Sequence, residues 1–199
     1  MRNKLYYLES LFSQRLILDE RLSDPDFVSE LRHSENEALR KALNLKKLER
    51  VECYDISTLS FKNSTASMVV FEGGNALKSE YKRFKLKAKK TFDPQMLVEV
   101  LDRRMQHSDW PMPDLIVIDG GTPQILSIMS LFRQKYPQCP AVIGIAKAPD
   151  RILDASTMKY LDLKTDSLAL HYVQRVRDEA HRFAKKYHLL LRSKNFIGG

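Results

Sequence analysis

The chain has 199 residues, with 33 Lys and Arg against 25 Asp and Glu, a formal charge of +8 and a pI of about 9.4. Hydrophobic residues make up 43 %, including nine Phe and eight Tyr, which supports a buried core and excludes general disorder. No apolar run approaches the roughly 20 residues that span a bilayer, residues 1–18 are too charged for a signal peptide, and the positive balance favours a polyanion such as nucleic acid while also serving solubility.

Leu5, Leu8, Leu11, Phe12 and Leu16 recur at helical spacing. Ser23-Asp24-Pro25-Asp26 breaks that pattern and offers an N-cap for a second helix over 26–45, whose charges read as a solvated face. Residues 1–48 are therefore expected as a helical extension, and 49–199 as the main domain. Residues 51–56 and 65–71 are β-branched and aromatic, and read as strands. Gly73-Gly74-Asn75 turns the chain into a third strand over 79–86. A helix is expected over Asp93–Met105. Leu115–Ile118 is unbroken and apolar, the mark of a strand buried on both faces, and Asp119-Gly120-Gly121 closes it. A helix over 125–136, a buried strand over Ala141–Ala146, a hairpin over 151–163 and a long helix over 166–192 complete the chain. Cys53 and Cys139 lack metal-type spacing; both are expected as buried thiols in a reducing, cytoplasmic setting. A meander followed by strand–helix crossovers gives an α/β fold with a mixed sheet flanked by helices. Sites in such sheets gather at strand ends where strand directions diverge.

Two acids occupy unusual places. Asp55 interrupts a strand, and Asp119 closes a buried one; a carboxylate near a core is costly unless it is paired or holds a cation. Asp-Gly-Gly after a strand is also what an ordinary turn looks like. Together the two fit an oxygen-rich site for Mg²⁺ or Mn²⁺, as in metal-assisted phosphodiester hydrolysis. The last helix carries Val173, Val176, Ala180, Phe183 and Tyr187 as its apolar stripe, bordered by a polar ridge of Gln174, Arg177, Asp178, His181, Lys185 and His188. His181 is able to ligate a cation or accept a proton, or simply to pack. Lys78, Tyr81, Lys82, Arg83, Lys85, Lys87, Lys89 and Lys90 concentrate charge around the third strand. They either track DNA phosphates or protect a sheet edge. Alternation puts Lys82, Phe84 and Leu86 on one face, and Tyr81, Arg83 and Lys85 on the other. Lys147 is a further candidate phosphate contact.

Six segments occur in one order: Tyr54-Asp55-Ile56-Ser57, Val70-Phe71, Tyr81-Lys82-Arg83-Phe84, Ile118-Asp119-Gly120-Gly121 with Gln124, Ile143-Gly144-Ile145-Ala146-Lys147, and Arg177-Asp178-Glu179-Ala180-His181-Arg182-Phe183-Ala184. This resembles the C-terminal endonuclease domain of UvrC, the excision nuclease of nucleotide excision repair, over residues 37–194. The resemblance implies a ribonuclease-H-like fold with a mixed five-stranded sheet. It implies Mg²⁺- or Mn²⁺-dependent incision of damaged DNA on the 5′ side of the lesion, in concert with UvrA and UvrB. The family's Asp-Asp-His triad falls on Asp55, Asp119 and His181, and a further family acid on Asp93. Lys82, Arg83, Lys147 and Arg177 become the expected DNA contacts. The chain departs from the family pattern at Thr58, where His is usual, at Phe61 and Lys62, where Gly-Glu is usual, at Thr122-Pro123 in place of Lys-Gly, and at Leu189-Leu190 in place of a basic pair. These departures motivate an alternative: a non-catalytic module that binds DNA or a repair partner.

Overall fold

The computed structural model describes residues 21–58, 64–86, 93–146 and 150–197. The expected first helix, Phe61, Lys62, Lys87, Lys89, Lys90 and Lys147 lie outside them, as do the side chains of Thr58, Asp93, Leu189 and Leu190. Helix α1 (Pro25–Ala42) opens as its sequence dictates: Asp24 caps it by accepting from the Asp26 amide at 3.0 Å, and Pro25 sits in the first turn. The strands are β1 (Arg50–Thr58), β2 (Ser64–Glu72), β3 (Asn75–Ala76), β4 (Lys82–Lys85), β5 (Leu115–Ile118), β6 (Ala141–Ala146), β7 (Arg151–Asp154) and β8 (Lys159–Tyr160). Helices α2 (Asp93–Met105), α3 (Thr122–Lys135) and α4 (Leu168–Ile197) cover the sheet.

All eight strands form one mixed sheet in the order β3-β2-β1-β5-β6-β7-β8, with β4 also paired to β2. β1 and β2 are antiparallel, β1-β5-β6 are parallel, and β7 and β8 turn back antiparallel. The expected central strands are all present, and the β7–β8 hairpin extends the sheet beyond them. The expected third strand is shortened to β4: a 3-10 turn occupies Lys78–Glu80, and the short β3 lies before it, where a turn was expected. Gly73 and Gly74 have φ of +53° and +85°, the left-handed values that the tight turn between β2 and β3 requires. Helix α3 begins three residues before its expected start, because Thr122-Pro123 is absorbed into its first turn, where a proline costs no hydrogen bond.

Alternation along β1 sorts the core into two layers. Val51 and Cys53 join Val69, Phe71, Leu115, Val117, Ile143 and Ile145 under α1 and α4. Tyr54 joins Met68, Val70, Phe84, Ile116 and Ile118 under α2 and α3. Ile116, Val117 and Ile118 are fully buried, each contributing about 1.5–3 kcal/mol. Both cysteines are free; Cys53 is buried as expected, whereas Cys139 is only half-buried at the edge of the second layer.

The face of α1 expected to be solvated is partly an interface with α4. Leu39 is fully buried. Glu35 is also buried and accepts from Arg175 at 2.6 Å and from Arg32 at 3.2 Å. Asn36 donates to the Tyr172 hydroxyl at 3.5 Å. A second buried ion cluster lies beneath the sheet. Glu52, without exposure, accepts two bonds from Arg104 at 2.9 Å each, one from Tyr54 at 2.7 Å and one from Arg50 at 3.2 Å.

Candidate active site

β1 and β5 pair Cys53 with Val117. Two residues further on, each strand delivers an aspartate. Asp55 and Asp119 therefore stand side by side at neighbouring strand ends, on the face that α4 covers. Gly144 on β6 lets the chain leave this point: a Cβ there would lie 2.5 Å from the Gly120 carbonyl oxygen. The buried stripe Val173, Val176, Ala180 and Ala184 seats α4, and His181 lies beside it, turned toward the strand ends. His181 Nε2 is 2.9 Å from Asp119 Oδ2 and 3.2 Å from Asp55 Oδ1. One ligand atom from each of the three residues lies within 4.8 Å of the others. The side chains of Asp55 and Asp119 are only 11 % and 12 % exposed, against 32 % for His181. Two such shielded carboxylates with an imidazole nitrogen form a donor set that suits Mg²⁺ or Mn²⁺. Three separate elements of the fold supply that set.

The other expected site residues divide. Asp93 is the first residue of α2. Arg83 lies in the same cross-strand row as the triad, since β1–β2 pairing sets Asp55 opposite Ser67 and β2–β4 pairing sets Ser67 opposite Arg83. Two strand spacings put its backbone about 10 Å from that of Asp55. Its guanidinium rests 4.4 Å from the centre of the Phe183 ring. Lys82 points to the opposite face, 5.2 Å from the Trp110 ring centre. Arg177 is on α4, and its guanidinium pairs with Asp150 and Asp178.

Sequence reading missed how the helix is held. The Tyr81 hydroxyl donates to Glu179 Oε1 at 2.9 Å, and Arg182 forks onto the same carboxylate. Burial, then the Glu179 carboxylate, push the Tyr81 hydroxyl pKa well up; the Arg182 bond first, aided by Tyr81, holds Glu179 below its ordinary range. The pairing of Tyr81 with Arg83 on one face was legible by alternation, but nothing local tells which helical acid a strand tyrosine meets. A groove of about 720 Å³ lies between α1, β3 and α4, and none of the triad residues lines it.

Two acids at adjacent ends of parallel strands, and a histidine supplied by the closing helix, define a ribonuclease-H-like α/β domain. A family model of the UvrC RNase H endonuclease domain matches residues 40–184, and the chain belongs to that family. It is 41 % identical over 166 residues to UvrABC system protein C of Methanosarcina mazei, covering 81 % of this chain and 32 % of the relative. Identity to the protein of the same name from Dictyoglomus thermophilum is 37 % over 163 residues, 80 % of this chain and 27 % of the relative. For Chlorobium phaeobacteroides it is 36 % over 200 residues, 98 % of this chain and 30 % of the relative. The chain thus spans about a third or less of the length of these curated relatives. Among solved structures, human endonuclease V is similar at 15 % identity and a TM-score of 0.41, over 70 % of this chain and 64 % of that one.

Proposed function

We propose that the chain is a divalent-metal-dependent DNA endonuclease domain that makes the 5′-side incision in nucleotide excision repair. The observation that carries this reading is the convergence of Asp55, Asp119 and His181, 126 residues apart at the extremes, with ligand atoms within 4.8 Å. Asp55 and Asp119 would hold Mg²⁺ or Mn²⁺ between them, with His181 as third ligand or as the group that orients the attacking water. The cation, when bound, supplies Lewis acidity toward the phosphodiester. Each aspartate presents one oxygen to the site from a rigid strand end, which fixes the reacting phosphate relative to the sheet. Arg83, braced on Phe183 in the same row, contacts a neighbouring backbone phosphate. Asp93 contributes a further acid from the start of α2, and Lys147 a further phosphate contact. The partners of this reading are damaged DNA, with UvrA and UvrB, in the cytoplasm; among the described residues no helix is long and apolar enough to cross a membrane.

A converged triad favours catalysis over the alternative of a binding module that cuts nothing. The test is a Mn²⁺-dependent nicking assay on lesion-bearing duplex, with and without UvrB. Nicks 5′ to the lesion that disappear in His181→Ala support the reading. Binding without any nick, in every cation and with UvrB present, establishes the non-catalytic alternative instead.

A further inference from the structure

Arg177 is engaged from two sides. Its Nη1 donates to Asp150 Oδ2 at 2.8 Å, and its Nε and Nη2 both donate to Asp178 Oδ1 at 3.1 Å. The side chain is only 14 % exposed. Gln174, one turn earlier on α4, donates to the same Asp150 oxygen at 2.9 Å. Asp150 immediately precedes β7, so one carboxylate outside α4 gathers two side chains of that helix. Arg177 in turn lies one helical turn before His181.

α4 needs such a clamp. Its apolar stripe seats the helix on the sheet, but apolar burial is non-directional and leaves rotation about the helix axis loosely set. Charge-assisted hydrogen bonds are directional. On one flank Tyr81 of the β4 side holds Glu179. On the other, Asp150 holds Gln174 and Arg177. His181 lies one turn beyond Arg177, on the Asp150 flank of the helix, and its side chain is a third exposed. A ligand set tolerates displacements of only about 0.5 Å.

We infer that Asp150 and Arg177 are positioning residues, which set α4 so that His181 meets both aspartates, and that Arg177 is committed to this clamp and not to DNA. The inference rests on the metal-dependent reading of the triad. In the full chain, Asp150→Asn and Arg177→Lys are each compared with the parent by calorimetric Mn²⁺ titration and by metal-free binding of a labelled duplex across a salt series. Lys keeps the charge but loses the fork that serves two carboxylates. Each variant is expected to weaken Mn²⁺ binding roughly tenfold, and the double variant no further, because both changes break one unit. Metal-free DNA affinity and its salt slope are expected to match the parent. The inference is overturned if Asp150→Asn binds Mn²⁺ like the parent while tightening DNA binding and steepening its salt dependence, the behaviour of an arginine released to phosphate. It is equally overturned if both single variants take up Mn²⁺ like the parent. Should either single variant fail to fold, the exchange of Asp150→Arg with Arg177→Asp replaces it; recovery of Mn²⁺ binding supports the clamp, and a folded exchange variant that lacks it refutes it. A parent that binds no Mn²⁺, or an Asp119→Asn variant that binds it normally, strikes the nuclease reading itself.

Discussion

Replacing Asp119 with asparagine tests the site while leaving its shape intact. The carboxylate oxygens of Asp55 and Asp119 lie within 4.8 Å, a separation at which two unit charges repel by about 3.5 kcal/mol at an effective dielectric constant of 20. The His181 ring, within hydrogen-bond range of both, offsets part of that repulsion. Asp119→Asn removes one charge at nearly constant volume, so the metal-free variant is expected to melt at or above the parent temperature. With Mn²⁺ at 100 times its dissociation constant, the parent gains about 2.7 kcal/mol of stability. For a domain of this size that is a rise of roughly 5–10 °C. The variant is expected to lose this rise together with Mn²⁺-dependent nicking, while retaining DNA binding. Differential scanning calorimetry in chelator and in Mn²⁺, run beside the nicking assay, reads both quantities. A variant that shows the full Mn²⁺ rise, or that nicks like the parent, refutes the assignment of Asp119. A variant that melts far below the parent in chelator refutes the repulsion between the two carboxylates.

Three further outcomes are expected. Glu52→Gln strips the partner of two fully or nearly buried arginines and should cost about 3–5 kcal/mol in urea unfolding; a loss under about 1 kcal/mol would mean that water reaches the cluster. Arg83→Ala should weaken DNA binding and reduce the salt slope by about 0.9, whereas Lys82→Ala, on the opposite face, should leave the slope unchanged; equal effects would contradict the placement of the row. Glu179 titrates below its ordinary 4.5, so the stability it contributes is present above that value and is lost as pH falls through its depressed pKa. Arg182→Gln should therefore flatten the acid limb of a stability–pH curve below pH 4.5, and an unchanged limb would show that the pair carries none of the acid sensitivity.

Much of the fold was legible because its signals are local. The Leu115–Ile118 run and its Asp-Gly-Gly ending marked a buried strand with an acid at its end. Asp24-Pro25 marked a helix start, and alternation separated Arg83 from Lys82 before any contact was known. What stayed hidden depends on distant partners. Arg104 carries no local sign of burial, yet it is fully buried because Glu52 waits beneath the sheet. Glu35 reads as one charge among many on a solvated face, yet Arg175, 140 residues later, draws it inward. The third strand starts late because of the 3-10 turn, which carries Glu80 to Arg50 at 2.9 Å. The triad itself could be named but not assembled: residue type and setting nominated Asp55 and Asp119 and left His181 open, resemblance grouped the three, and only the crossing of α4 over the strand ends joined them.

The order in which the triad residues occur along the chain has a consequence for biosynthesis. Asp55 and Asp119 can come together as soon as β1 and β5 pair, but His181 follows 62 residues after Asp119, on a helix that leaves the ribosome well after both. A nascent chain that stops short of α4 therefore lacks the imidazole, and the donor set stays incomplete until the closing helix docks. Closure of the fold over the strand ends and completion of the donor set are thus one event.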